Sequence, residues 1–224
     1  MHVIVETSGE ANFHLCSNDP NDLVPLEPTS DDYRRIQNAF ISSWKHPGYP
    51  QPKIKNICYV AHSSPDALAH LSRFSNYSNK VGNTQLLYHG TSRTCSVGSS
   101  TNPAHLKFCN KTNCSLCLIL KGSYDIEKTR SRSMFGIGIY STTVSSKAHG
   151  YASRNNPSLK TIILNHVVLG RSVLMMQHDH SLQHAPDIYN SVTGATVEQG
   201  GSVLYHEAIV YREDAMCASA VIFY

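Results

Sequence analysis

Apolar positions recur at intervals of three and four from Tyr33 through Ile36 and Phe40 to Trp44, which lines one face of an α-helix. Ser30 stands where an N-cap would, with Asp31 and Asp32 in the first turn where the helix dipole favours negative charge, and KHPGYPQP ends the pattern. From Ile54 to Ala61 the chain reads as a strand, and SSPDALAHLSRF as a helix with Pro65 in its first turn. TQLLYHGTS is a strand running into a turn, GIGIYS a short strand, and SSKAHGYA a helical turn. LKTIILNHVVLG, β-branched and apolar, is the strongest strand of all, and HEAIVYRED and CASAVIFY close the chain as two more. Polar stretches separate these elements: a loose leader to about residue 29, a cysteine-bearing basic segment over 99–133, and a long loop over 175–203. There is no internal repeat. Short strands without regular βαβ alternation predict an α+β domain.

Composition narrows the class of molecule. At 224 residues, with 41% hydrophobic and 16% charged positions, the chain is long enough for a packed core and too apolar for global disorder. A net charge of +3 is too mild to argue for nucleic acid by itself. No apolar run approaches the roughly 20 residues of a membrane-spanning helix. The N-terminal MHVIVETSGEANFHLC lacks a secretion signal's charge and apolar core, so an intracellular protein is expected, nuclear or cytoplasmic, with its seven cysteines as thiols or metal ligands.

Four of those cysteines fall within one polar segment. Cys95, Cys109, Cys114 and Cys117 follow the pattern C-x13-C-x4-C-x2-C, which has the look of a tetrahedral structural Zn²⁺ site in an insertion spanning about 95–120, with His105 able to replace one ligand. A long polar insertion buries little apolar surface, and a metal would supply the missing order. The alternative is a set of packed or redox-sensitive thiols. Cys16, Cys58 and Cys217 read as packed thiols. The segment also carries Lys107, Lys111, Lys121, Lys128, Arg130 and Arg132 against Asp125 and Glu127, a patch able to meet a pyrophosphate, an acidic protein or nucleic acid, though a solvated loop explains it as well. His178, His180 and His184 in QHDHSLQH read as an exposed loop.

Three short motifs are weak singly. The Gly-Ile-Gly of residues 136–138 lacks a dinucleotide fingerprint's third glycine and long helix. In order, however, His89-Gly90-Thr91, then Phe135-Gly-x-Gly-Ile-Tyr140 with Ser146-Lys147 and Tyr151, then Glu207-Ala-Ile-Val-Tyr211, resemble the catalytic core of the poly(ADP-ribose) polymerase family. The resemblance is to the diphtheria-toxin-like ADP-ribosyltransferases with a His-Tyr-Glu triad, and the cysteine quartet is similar to that of zinc-bearing fungal and plant members. It covers about residues 23–224, leaving 1–22 as a leader. It implies a split-sheet α+β fold, two small antiparallel sheets flanked by helices, with the cysteine-rich segment inserted.

The implied chemistry is specific. NAD⁺ is the co-substrate, held between the sheets with its nicotinamide ring between Tyr140 and Tyr151, since an aromatic face suits an electron-poor pyridinium. Gly90 would meet the carboxamide through its backbone, His89 the adenine-side ribose, and Glu207 the nicotinamide ribose, with Thr91, Ser146 and Lys147 completing the donor site. Many relatives carry Ser after the lysine; Ala148 stands here, removing a hydrogen bond worth about 0.5–1.5 kcal/mol unless a neighbour such as Ser146 replaces it. The expectation is an enzyme, a monomer, transferring one ADP-ribose unit to a macromolecular acceptor, protein first and nucleic acid second. The rivals are an NAD glycohydrolase, or a zinc-stabilised interaction module that kept the fold and lost the activity.

Overall fold

The computed structural model describes residues 21–129, 133–152 and 160–224. Cys16, Arg130, Arg132 and all but the last two residues of the expected leader lie outside the described residues. No helix among the described residues is long and apolar enough to cross a membrane.

Two sheets carry the fold. The larger holds β1 (Leu23–Pro25), β2 (Asn56–Val60), β3 (Thr84–Gly90), β5 (Thr161–Val168) and β9 (Met216–Phe223) in the order β1-β2-β9-β5-β3, antiparallel throughout. The smaller holds β4 (Ile139–Ser141), β6 (Ser172–Met175), β7 (Ser191–Gly194) and β8 (Glu207–Val210) in the order β4-β8-β7-β6. Its pairs are antiparallel except β6–β7, which is parallel; residues 176–190 supply the long crossover that such a pair requires. The split-sheet α+β fold is therefore present, with one parallel pair that the sequence pattern does not disclose.

Side-chain alternation decides what each face covers. On one face of the larger sheet, Ile57, Tyr59, Ile162, Leu164, Ala220 and Ile222 pack with Tyr33, Ile36 and Phe40 of α1 (Asp31–Ser42) and with Ala148 of α4 (Ser145–His149). On the other, Cys58, Val60, Ile163, Val221 and Phe223 meet Leu106, Leu116 and Leu120 of the cysteine-bearing segment. Beside them α2 (Pro65–Val81) packs Phe74 and Tyr77 against Leu87, Val167 and Met216. With both faces covered, β5 has all eight residues buried, which is why it reads as an unbroken apolar run.

The helix starts follow the sequence closely. The side chain of Ser30 accepts from Tyr33 N–H at the head of α1, and that of Ser64 from Ala67 N–H at the head of α2. Other boundaries differ. Helix α1 stops at Ser42, two residues short of Trp44, and α2 runs on to Val81. Leu23–Pro25, expected to be loose, pairs with Val60, Tyr59 and Cys58 of β2. The expected long loop over 175–203 contains β7, whose Val192 is fully buried; its neighbours β6 and β8 define that strand, because SVTG is too short to show a period.

The largest departure is the cysteine-bearing segment. It folds a short helix, α3 (Ser115–Lys121), and buries Val97, Leu106, Leu116 and Leu120 beneath the sheet, contrary to the expectation that it hides little apolar surface. Gly98, at φ +72°, lies so close to the Phe223 ring that an added Cβ would sit 2.0 Å from it. Leu116→Ala should therefore lower stability by about 2–5 kcal/mol in denaturant titration, the cost of truncating a core leucine. A loss below about 0.5 kcal/mol would mean a dispensable surface insertion.

Candidate active site

An isolated β-bridge links the two sheets before they separate. Tyr88 of β3 and Thr142, just past β4, exchange both backbone hydrogen bonds, at 2.8 and 3.0 Å. Beyond this bridge the strands part, and a cavity of about 1010 Å³ opens, at the upper limit of the roughly 300–1,000 Å³ usual for ligand pockets. His89, Gly90 and Thr91 at the end of β3 line it, with Tyr140 of β4, Lys147 and Ala148 of α4, Tyr151, and Glu207 opening β8. Three motifs far apart in sequence thus line one cavity.

Glu207 is only 6% exposed. Its Oε1 lies 3.2 Å from Lys147 Nζ, which also donates to the carbonyl of Tyr205 at 2.9 Å. Burial raises the pKa of the Glu207 carboxyl and lowers that of Lys147, and the attraction between them opposes both changes. A carboxylate rarely stays buried without such a partner.

His89 is fixed by one hydrogen bond. Its Nδ1 is 2.7 Å from the carbonyl of Tyr140, and a carbonyl only accepts, so Nδ1 carries the proton. Burial lowers its pKa, leaving a neutral ring whose Nε2 is a lone-pair acceptor. The ring stands edge-on to Tyr124, with centroids 5.0 Å apart, and the buried Tyr124 hydroxyl donates to Asn165 Oδ1 at 2.7 Å.

Tyr140 is held at its phenol end, where the hydroxyl accepts from Phe135 N–H at 2.8 Å and donates to the Gly136 carbonyl at 2.9 Å. The glycines of this motif serve chain packing. Gly136 has φ +69°, and a Cβ there would lie 1.8 Å from the Leu182 carbonyl oxygen; one at Gly138 would lie 2.4 Å from Ile209. Gly90 is constrained likewise, since a Cβ would meet the Ala148 carbonyl oxygen at 1.9 Å. Tyr151, 56% exposed, stands at the mouth of the cleft.

Ser146 is placed elsewhere. Its Oγ accepts from the backbone N–H groups of Lys45 and His46, at 2.9 and 3.1 Å, and bonds His46 Nδ1 at 2.8 Å, so it ties the segment after α1 onto α4. It does not line the cavity. The hydroxyl missing at Ala148 is therefore not supplied by Ser146, and Ala148 itself packs in the core at 2% exposure.

The four cysteines converge. Sγ of Cys95 lies 3.6 Å from those of Cys114 and Cys117, and all four Sγ atoms, with Cys109, fall within 4.8 Å of one another. Four thiolates at about 2.3 Å from one tetrahedral ion would stand about 3.8 Å apart, so the spacing fits a metal centre. All four are free thiols, and the hydrogen bond between Cys95 and Cys117 pulls the Cys95 pKa down to about 5 while raising that of Cys117, so the cluster gives up its first proton at Cys95. His105, considered as a substitute ligand, bonds Ser100 Oγ at 2.8 Å instead and is no part of the group. Cys58 and Cys217 are buried thiols, each pushed up to about 12 by desolvation.

The basic residues nearby are largely spoken for. Lys111 donates to the Thr94 carbonyl, Lys121 to Asn110, and Lys128 pairs with Asp125 at 2.9 Å. His180 and His184 bond backbone carbonyls in an exposed loop, as read from the sequence. What sequence reasoning missed is that Leu118, Ile119, Tyr124 and Asp125 also line the cavity. The one available signal was their place directly after the cysteine pair.

Among family models, that of the poly(ADP-ribose) polymerase catalytic domain matches residues 30–208, most of the chain. None of the curated proteins compared matches it. The geometry of His89 carries its own test. A long-range ¹H–¹⁵N spectrum at pH 7 should show a neutral ring protonated on Nδ1; a charged ring, or a proton on Nε2, would contradict the bond to Tyr140.

Proposed function

The chain belongs to the poly(ADP-ribose) polymerase catalytic-domain family, whose members are NAD-dependent ADP-ribosyltransferases, and from that premise we propose that it cleaves NAD⁺ at the nicotinamide–ribose bond and transfers a single ADP-ribose to a macromolecular acceptor, a protein. We take residues 23–224 as the catalytic unit. The observation that carries this reading is the convergence of His89, Gly90, Tyr140, Tyr151 and the buried Glu207 on one cavity.

The proposed roles follow from charge. The bond between ribose and nicotinamide breaks with both electrons going to the ring nitrogen, which discharges the pyridinium and leaves an oxocarbenium-like sugar. Glu207 places a carboxylate beside that developing positive charge in a site poor in water, stabilising the transition state more than the ground state. As the acceptor's nucleophilic atom bonds the same carbon, it loses a proton, and Glu207 is the base within reach. Lys147 keeps the carboxylate ionised against the cost of burial. Tyr140 and Tyr151 flank the nicotinamide, Gly90 admits its carboxamide, and His89 Nε2 accepts from a ribose hydroxyl. Without a hydroxyl at residue 148, the donor is held by one bond fewer than in many relatives.

We also assign Cys95, Cys109, Cys114 and Cys117 as ligands of a structural Zn²⁺. Four protein ligands leave no open coordination position, so its contribution is to folding. Elemental analysis should find about one zinc per chain in the wild type and none in Cys114→Ser; a folded, metal-free wild type would refute the assignment.

Nicotinamide release from labelled NAD⁺ tests the enzyme. Glu207→Gln should slow it about a hundredfold or more. Equal, negligible rates in both would favour the inactive module, and free ADP-ribose as the sole product would favour a glycohydrolase. The pH profile adds a sign. Burial raises the Glu207 pKa, so activity should fall in acid at a pH above the ordinary carboxylate range, and Lys147→Met should shift that limb to still higher pH, because the opposing charge is gone. An unmoved limb would remove Glu207 from the role.

A further inference from the structure

Among the described residues, Arg93 is the one lysine or arginine whose side chain is buried, at 1% exposure. A guanidinium keeps its charge inside proteins, so placing it there is costly unless negative charge stands nearby. Its Nη1 donates to the Val97 carbonyl, and its guanidinium carbon lies 5.7 Å from the centroid of the Phe223 ring. Both contacts hold the group in place, but neither brings a full negative charge. The cysteine quartet supplies such charge. Burial works against the protonated form of Arg93, and thiolates at Cys95, Cys114 and Cys117 work for it.

The surroundings of the quartet favour anionic sulfur. Backbone N–H groups of Val97, Lys111 and Cys109 donate to the sulfurs of Cys95, Cys109 and Cys117, and bonds of this kind favour thiolate over thiol. Val97 therefore serves both partners, its N–H toward Cys95 and its carbonyl toward Arg93. Four thiolates around one Zn²⁺ leave a net charge of about −2. Cys114 and Cys117 are fully buried, so water screens little of it there. Lys111 and Lys121 make their bonds, to the Thr94 carbonyl and to Asn110, at the exposed surface, where charge counts for less. On the zinc assignment made above, we infer that Arg93 is the counter-charge of the quartet: a buried guanidinium that offsets the excess negative charge of the metal–thiolate centre and so sets how tightly the metal is held. The dependence is mutual, since each charge makes burial of the other tolerable. Packing against Phe223 alone would be served as well by an apolar side chain.

Competition with a chromophoric chelator at about pH 7 measures the zinc dissociation constant of the full chain. Arg93→Met keeps much of the side chain's length and removes its charge; it should weaken zinc about tenfold or more, the range seen when a group supporting metal ligands is lost. Arg93→Lys keeps the charge without the planar fork, and should stay within about threefold of the wild type. A methionine variant that holds zinc like the wild type overturns the inference. So does a lysine variant as weak as the methionine one, which would assign Arg93 to packing or hydrogen bonding. If Arg93→Met does not fold, Arg93→Lys decides alone: a folded chain with near-wild-type zinc affinity supports the counter-charge, and failure to fold or to hold zinc overturns it. A wild type that takes up no zinc sinks the metal assignment itself, whereas zinc held tightly whatever the charge at residue 93 sinks only the counter-charge.

Discussion

Everything in the cleft depends on where pairing between the two sheets stops. Tyr88 and Thr142 exchange two backbone hydrogen bonds, and among the described residues no strand continues the ladder. The Thr142 hydroxyl helps end it, donating to the His206 carbonyl at 2.6 Å and accepting from Val144 N–H at 3.0 Å, so the chain turns into α4. Meanwhile β3 runs on alongside β5 to Gly90, opposite Ile162. The divergence places the backbone of Gly90 against the Ala148 carbonyl, with no room for a side chain. A floor of two short hydrogen bonds therefore carries walls contributed by both sheets, which share a core in which Leu87 and Val167 of the larger pack with Ile139, Ala208 and Val210 of the smaller. On the proposed chemistry, rigidity of this kind would hold the Glu207 carboxylate where charge develops, without reorganisation at the moment of reaction.

The buried pair of Glu207 and Lys147 shows the tension such a site accepts. Burial pushes each group toward its neutral form, and their 3.2 Å separation pushes back. Replacing both with apolar residues of similar volume would stabilise many proteins, since desolvation often outweighs the attraction. Keeping them is understandable if the carboxylate serves chemistry, because a paired and half-dehydrated anion is poised to meet a cation arriving in the cleft. A neutral His89 fits the same arrangement: it places an acceptor nitrogen in the cavity without adding a second positive charge near Glu207.

Much of the architecture was legible because local and long-range signals agreed. Ser30 and Ser64 cap the helices their positions announce, and β5 and β9 are apolar runs because both faces of their sheet are covered. The motifs around His89, Tyr140 and Glu207 were legible as an ordered set, although no single one carried the conclusion. What stayed hidden was set by partners. Strand β7 exists because β6 and β8 lie on either side of it, and β1 because β2 offers an open edge. Ser146 looked like a donor-site residue by its offset from Lys147, yet its hydroxyl is consumed by the segment after α1. Offsets within a motif locate a residue on a helix; they do not say which side chain is already spoken for.

The cysteine-bearing segment carries the same lesson further. Its composition is polar, so order seemed to require a metal. In the fold, Leu106, Leu116 and Leu120 cover Ile163, Val221 and Phe223, and burying such side chains is worth about 1.5–3 kcal/mol each. Apolar burial therefore holds the segment against the sheet independently of the thiols. The quartet brings the Cys95 sulfur, four residues past Thr91, to 3.6 Å from those of Cys114 and Cys117 on the helix. A non-directional force fixes that the segment packs; the proposed metal, once bound, would add directional ligation at Cys95, Cys114 and Cys117. Leu118 and Ile119 of that segment line the same cavity as Glu207.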